Sequence, residues 1–424
     1  MSREIFILGG GTVQHVRPHL ALSAPAYGAT AKMLYDIVLT DFHEYAKDTT
    51  LGLTAMARDS KPCAIIGETN EQVKSWIQSV VFGNDQAPIV FLNVAFCDFK
   101  GIVHPNDPSA FHGKQGRRLK TKDGNVSMFL EPTEKIVSDI RKYDKDIFLV
   151  AWKTTSSAAK EEMFEAGASF LKKNHCNLVV VNDVNTKKRM IVTPELAIYG
   201  WELEGNQLGF YQQLMKMTLA RAGGTFHATT IAPGKLKPIT EAPETFQKVL
   251  SACIDAGAYQ PFEDKTVGHF GWRDQSGSAN QLWSSRRKKN YNKPGDTDLI
   301  KVTAVSKSET IAESDSGDKP SAGVRSQLAV MQKLPRDIDC IIHFHCPLLE
   351  NAKHLIPIRS QFAFECGSME CGINTATGME EIIPGIHAVM LDKHGPNICF
   401  SSKANPDDVM NFILSNFNLS ERTS

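Results

Sequence analysis

Ile341-Ile342-His343-Phe344-His345-Cys346 holds the residues of this chain best suited to chemistry. Two histidines at i and i+2 on a strand point to one face, so both imidazoles can converge on a single cation. A third ligand is needed, because three histidines with one open position is the build of a catalytic zinc site. His394, in Lys393-His394-Gly395 just after the apolar run Ile386–Leu391, is the candidate. His354 and His387 are better explained as surface or core histidines, and the cysteines are not read as ligands. Cys346 alternates to the face opposite His345, and the Cys366–Cys371 spacing is not that of a zinc knuckle. The expected cofactor is Zn2+ or another divalent transition metal, acting as a Lewis acid on a carbonyl or hydroxyl oxygen.

A second set of residues could hold phosphate. Gly9-Gly10-Gly11-Thr12 follows the apolar run Ile5–Leu8, and a glycine turn at the carboxyl end of a parallel strand lets a phosphate approach backbone amides. The pattern is not GxGxxG, so a nicotinamide dinucleotide is not indicated. Lys114, Arg117, Arg118, Lys120 and Lys122 cluster in a polar loop spanning 101–125. Arg286-Arg287-Lys288-Lys289, with Trp283 and Tyr291 beside it, reads as a solvated loop or part of a small phosphate pocket rather than a nucleic-acid patch.

The elements that must position these residues follow from the apolar patterning. Ile5–Leu8, Ala64–Ile66, Ile89–Val94, Ile147–Ala151 and Leu178–Val181 read as strands, with helical spacing over Gln72–Val81, Glu134–Tyr143 and Ala158–Asn174 between them. That alternation predicts a doubly wound parallel sheet. Ile231–Pro238 has turn residues without periodicity and places a boundary near 235. Beyond it, a helix over Pro243–Gly257 precedes short strands at Leu299–Val305, Cys340–Phe344, Ile386–Leu391 and Ile398–Phe400. The 424 residues suffice for two domains, 1–235 and 236–424. Lys plus Arg and Asp plus Glu both number 47, so no net field favours a nucleic acid or an anionic bilayer. No apolar run approaches the ~20 residues of a membrane span, and nine scattered cysteines without a CxxC pair fit a reducing cytoplasm.

Residues 1 to about 200 resemble the phosphopantothenate–cysteine ligase domain, the C-terminal domain of the pantothenate metabolism flavoproteins. The resemblance rests on the glycine turn, on Ser23 and Gly28 in the place of an ISNxSSG element, and on Asn93–Phe99, which sets Asp98 on the Asp of AAAVADY. Arg117-Arg118 stand where the family has paired lysines, and Lys172-Lys173-Asn174 with Val181-Asn182-Asp183-Val184 match its KKN and ANDV pair. It implies a Rossmann-like domain that binds CTP or ATP with Mg2+ through Gly10, Gly11, Thr12, Ser23, Gly28, Asp98, Arg117, Arg118, Lys173 and Asn182, and that joins an acid to an amine. Ala24, Ala26-Tyr27 and Thr155 depart from the family pattern, so nucleotide or phosphorylated-acid binding is expected more firmly than the ligase reaction.

From about residue 240 onward the chain resembles the class II aldolase/adducin family, which holds zinc on HxH and a later HG histidine. Gly277–Arg286 looks like its GNxSxR segment, Lys319-Pro320-Ser321 like the start of KPSSE, and Cys366–Glu370 like its GSxEL stretch. The resemblance implies an α/β domain around a mainly antiparallel sheet, with metal ligands His343, His345 and His394. It also implies substrate contacts from Ser278, Asn280, Ser321 and Ser368. The family's carboxylate at the fourth position of PSSE is Gly323 here, and a glycine does no acid–base work. Glu309, Glu313, Asp318, Glu365 and Glu370 are available instead, and Glu313 and Glu370 are taken as the catalytic candidates. The expectation is a cytoplasmic, homo-oligomeric two-domain enzyme with aldolase, epimerase or dehydratase chemistry on a small hydroxy-carbonyl compound, phosphorylated or not. The alternatives are a nucleotide-dependent ligase carrying a degenerate aldolase half, and a non-catalytic adducin-like binding protein.

Overall fold

The computed structural model describes residues 3–58, 61–82, 87–103, 113–224, 228–275, 281–306 and 309–423. The chain divides into two compact units, changing over at Ala222/Gly223, with Glu195–Ala197 belonging to the second. Each is built on its own sheet.

The main sheet of the first unit has eight strands: β1 (Ile5–Gly11), β2 (Thr49–Leu53), β3 (Ala64–Ile65), β4 (Ile89–Ala95), β5 (Phe148–Thr155), β6 (Leu178–Asp183), β7 (Arg189–Val192) and β8 (Ile198–Tyr199), in spatial order β8-β7-β6-β5-β4-β1-β2-β3. All pairings are parallel except β6–β7 and β7–β8. The central strands are buried on both faces, Ile5–Leu8 and Leu178–Val181 with almost no exposure, which is why they read as unbroken apolar runs. Helices α1 (Ala29–Asp41), α2 (Asn70–Trp76), α3 (Lys160–Asn174) and α4 (Gln207–Ala222) complete the unit. The doubly wound reading holds, with two local differences. Thr49–Leu53 is a buried strand, second from one edge, that its Gly52 and its two threonines disguise, and the stretch Glu134–Tyr143 forms only a 3-10 turn and a helix of four residues.

The second unit is a mainly antiparallel sheet of β9 (Ala228–Ala232), β10 (His269–Arg273), β11 (Leu282–Ser285), β12 (Leu299–Val305), β13 (Glu309–Glu313), β14 (Cys340–His343), β15 (Ile358–Arg359), β16 (Glu380–Ile383), β17 (Ile386–Leu391) and β18 (Gly395–Phe400). The order is β9-β13-β12-β11-β10-β14-β18-β17-β15, with β16 also on β17. Helices α5 (Glu244–Asp255) and α8 (Pro406–Asn416) cover one face, where Phe246, Leu250, Phe412 and Ile413 pack with Phe270, Ile342, Phe344 and Phe400. On the other face, α6 (Val324–Lys333) and α7 (Met369–Gly378) bring Val330, Met331 and Ala376 against Ile341, Val389 and Cys399. Strand alternation therefore sends Ile342 and Phe344 to the first core and leaves His343 and His345 on the α6/α7 face. Cys346 packs in the first core, away from the histidines. No described helix is long and apolar enough to cross a membrane.

Candidate metal centre

His343 ends β14, His345 lies two residues on, and His394 sits in the tight turn between β17 and β18. The turn lies against β14 because residue 395 is glycine. Its φ is +150°, and a Cβ there would stand 2.1 Å from the Phe344 carbonyl oxygen and 3.1 Å from the His345 Cα. Any side chain would push the turn, and His394 with it, away from the strand. As built, the ring centroids are 5.0 Å apart for His343–His345, 4.6 Å for His343–His394 and 4.7 Å for His345–His394. One ring nitrogen from each falls within 4.8 Å of the other two, and all three side chains are buried.

The donor set fits a divalent transition metal. The Nδ1 of His343 donates to the Pro396 carbonyl at 2.7 Å, which fixes the tautomer and leaves a bare Nε2. That Nε2 is buried with no hydrogen-bond partner, a costly state unless a cation takes its lone pair. Burial pushes the His343 pKa down to about 4, against the opposing pull of the Pro396 carbonyl, so the ring is neutral at pH 7 and ready to ligate.

A fourth imidazole belongs to the cluster, and the sequence reading did not single it out. His269 opens β10 directly opposite His343 in the antiparallel register. Its ring centroid lies 4.6 Å from that of His343, tilted by 31°, and it is 6% exposed. Burial, with His343 and His345 nearby, holds its pKa well below the usual imidazole range. Nothing in His-Phe-Gly-Trp-Arg marks the residue, because the pairing that places it spans 74 positions of chain, 269 to 343. His269 also bears on Gly323. A Cβ on Gly323 would lie 2.2 Å from both the Cδ2 and the Nε2 of His269, so imidazole 269 fills the space that a side chain at 323 requires.

The remaining expected site residues of this unit are dispersed. Glu313 pairs with Lys301 across β12–β13. Four strand steps separate β13 from β14, about 19 Å at ~4.8 Å each, and a glutamate cannot span that. Glu370 stands in the first turn of α7, on the histidine face of the sheet and within electrostatic range of buried Arg325. Ser321 accepts from the Gly323 amide, and Ser368 caps α7 by accepting from the Cys371 amide at 3.1 Å. Both serines therefore serve helix starts. Ser278 and Asn280 lie outside the described residues.

In the first unit the expected glycine cradle takes a different form. β1 continues through Gly11, which pairs with Ala95 of β4, and the Thr12 amide donates to the Ala95 carbonyl. The glycines admit close neighbours: a Cβ on Gly10 would meet Thr54 Oγ1 at 2.2 Å, and one on Gly11 the Ala24 carbonyl at 1.9 Å. The Thr12 hydroxyl donates to Asn70 Oδ1 at 2.5 Å and accepts from the Cys97 amide at 2.8 Å. Gly28, left-handed at φ +71°, starts α1 beside Gly10, while Ser23 is exposed at the end of a short hairpin strand. Asp98 pairs with Lys135 at 2.5 Å, and Arg117 and Arg118 are exposed. Asn182 lies at the carboxyl end of β6, near the Gly10–Asp98 end of the sheet. Lys173 does not join it, because α3 runs back along the sheet and leaves that residue in its last turn, at the amino end of the parallel strands.

No family model and no curated protein sequence matches the chain. Among solved structures it is similar to the DNA/pantothenate metabolism flavoprotein from Streptococcus pneumoniae, at 16% identity over 45% of this chain and 89% of that one, with a TM-score of 0.39. It is also similar to the C-terminal domain of the coenzyme A biosynthesis bifunctional protein CoaBC, at 12% identity over 51% and 96% of the two chains, with a TM-score of 0.36. A different region is similar to L-fuculose 1-phosphate aldolase, at 14% identity over 38% of this chain and 76% of that one, with a TM-score of 0.28.

Proposed function

We propose that the second unit is a metal-dependent lyase or isomerase acting on a small hydroxy-carbonyl compound, with His343, His345 and His394 holding Zn2+ or a similar divalent ion. The observation that carries this reading is the buried His343 Nε2 without a partner, facing two further imidazoles. A bound ion of this kind supplies Lewis acidity that polarises a carbonyl or hydroxyl oxygen and lowers the cost of enediolate-like charge. The chain's own groups do the rest. The Pro396 carbonyl orients His343, and Gly395 lets the turn that carries His394 pack against His345. Burial of all three excludes bulk water, so charge interactions at the site are weakly screened. Glu370 is the carboxylate carried forward for proton handling, since Glu313 is four strands away. Aldol cleavage, epimerisation and dehydration share these needs.

The test is metal analysis of the purified protein with and without His343→Ala, joined to an aldol-cleavage and epimerisation screen over short hydroxy-aldehydes and hydroxy-ketones and their phosphates. Near-stoichiometric metal, lost in the variant together with turnover, supports the reading. Absence of metal after Zn2+ reconstitution refutes it and favours the adducin-like binding role.

A second reading concerns the first unit, which we propose binds a nucleotide or a phosphorylated acid. Strand order reverses between β1 and β4, and ligands of open parallel sheets bind at the carboxyl ends of strands at such a switch point. There Gly10 and Gly11 pair with Val94 and Ala95, the Thr12 hydroxyl accepts from the Cys97 amide, and Gly28 starts α1 beside Gly10. Calorimetric titration with CTP and with ATP, each with Mg2+, tests it, and heat-silent titrations with both would refute it. A homo-oligomer, measured by light scattering, belongs to the same proposal.

A further inference from the structure

The polar groups behind His269 form a chain with a definite direction. Ser284 on β11 and Gln327 on α6 are both fully buried. The Ser284 hydroxyl donates to Gln327 Oε1 at 2.8 Å, which leaves the amide nitrogen of Gln327 facing His269 Nδ1, also at 2.8 Å. An amide nitrogen only donates, so Nδ1 of His269 is the acceptor and the ring proton resides on Nε2. No described residue takes up that Nε2, although the side chain is more than nine-tenths buried. The Nε2 edge faces the Gly323 backbone, in the space where an acidic side chain at 323 would have stood.

We propose that His269 is not a fourth metal ligand but the hydrogen-bond donor of the centre, held as the Nε2–H tautomer by Ser284 and Gln327 and directed at the oxygen of a ligand bound beside His343. The inference rests on the metal reading above and adds a specificity: the open position accepts a compound whose metal-bound oxygen can receive a hydrogen bond. Two features exclude the ligand role. Its Nε2 carries the proton and its Nδ1 lone pair is taken by Gln327, so neither nitrogen has a lone pair to give. His269 also stands outside the set whose nitrogens approach one another within 4.8 Å. With Gly323 lacking a side chain, His269 polarises the bound oxygen from the side that a carboxylate would have occupied.

The test uses the full chain loaded with Co2+, with acetohydroxamate as the oxygen-ligand probe and imidazole 15N NMR for the proton position. In the wild type, His269 shows a bare Nδ1 and a protonated Nε2. Gln327→Glu, whose carboxylate only accepts, moves the proton to Nδ1, frees Nε2 and changes the cobalt absorption spectrum toward a higher ligand count. His269→Ala and His269→Gln keep the wild-type Co2+ content, which also reports that they fold. His269→Ala binds acetohydroxamate about tenfold more weakly, the weight of one hydrogen bond. A wild-type His269 protonated on Nδ1, or unchanged hydroxamate affinity in a fully loaded His269→Ala, overturns the proposal and leaves the metal reading standing. Failure of the wild type itself to take up Co2+ sinks the metal reading and the donor role with it.

Discussion

Gly323→Ala should be destabilising for a reason confined to one neighbour, which makes it a clean test of how the histidine face is packed. The backbone at 323 is ordinary, with φ −76°, so alanine meets no conformational penalty and would by itself stabilise by about 0.4–1 kcal/mol through the unfolded chain. Against this, its Cβ would stand 2.2 Å from two atoms of the His269 ring. That ring cannot swing away freely, because Gln327 holds its Nδ1 and β10 is paired to β14 behind it. Overpacking of this kind costs about 1–3 kcal/mol, so the net expectation is a loss of about 1–2 kcal/mol, read as a lowered urea midpoint at constant slope. In a His269→Ala background the clash is gone and the same substitution should be neutral or stabilising. The double-mutant cycle then gives a coupling of at least about 1 kcal/mol. Equal costs in the two backgrounds would show that the ring does not occupy the space above residue 323, and would remove the explanation offered for the glycine.

Three further outcomes follow from single contacts. Burial depresses the His343 pKa to about 4 from its ordinary 6.5, so between these values the unfolded chain binds the proton and the native one does not. Metal-free protein should therefore lose up to about 3 kcal/mol as pH falls from 6.5 to 4, measured by urea unfolding after chelation, and His343→Gln should flatten that dependence. Arg286 is buried and donates to the Asp318 carboxylate at 2.6 Å and to the Asp298 carbonyl. Arg286→Ala should cost about 1–3 kcal/mol by leaving the Asp298 and Gly295 carbonyls without their donor, while Asp318 keeps Lys289 and Ser316, with a lowered denaturation midpoint as the readout. In the first unit, Thr12→Val removes the hydroxyl that bridges Asn70 and the Cys97 amide. It should cost about 1–3 kcal/mol, with early amide exchange at the β4 end as its signature.

The clustering of three histidines was legible because its geometry is local: an i, i+2 pair on a strand shares a face whatever the rest of the sheet does, and a His-Gly turn after a strand needs only to fold back. The parallel sheet of the first unit was legible for a similar reason, since strands buried on both faces show as apolar runs. What failed were inferences that needed a strand order. Glu313 is close to the histidines in sequence and is placed four strands away by the path β13-β12-β11-β10-β14. Lys173 shares a helix with residues near the site and is carried to its far end by the helix itself. The sequence also does not tell that the missing Cβ atoms of Gly10 and Gly11 admit Thr54 and Ala24 close beside them.

Gly323 and His269 show why a missing residue is harder to interpret than a present one. Read along the chain, glycine at the expected carboxylate position says only that a function is lost. Read across the sheet, the same glycine is the vacancy that an imidazole from β10 requires, 54 positions away in sequence from 323 to 269. The two substitutions make sense only together: a glutamate at 323 would collide with His269, and without His269 a glycine would leave a cavity beside three buried imidazoles. The absent side chain at 323 and the imidazole of His269 thus share one volume beside His343, His345 and His394. Ser284 and Gln327 lie buried in line behind that imidazole. Replacing either by an apolar residue of similar size should therefore leave metal content intact and weaken only the capture of oxygen ligands.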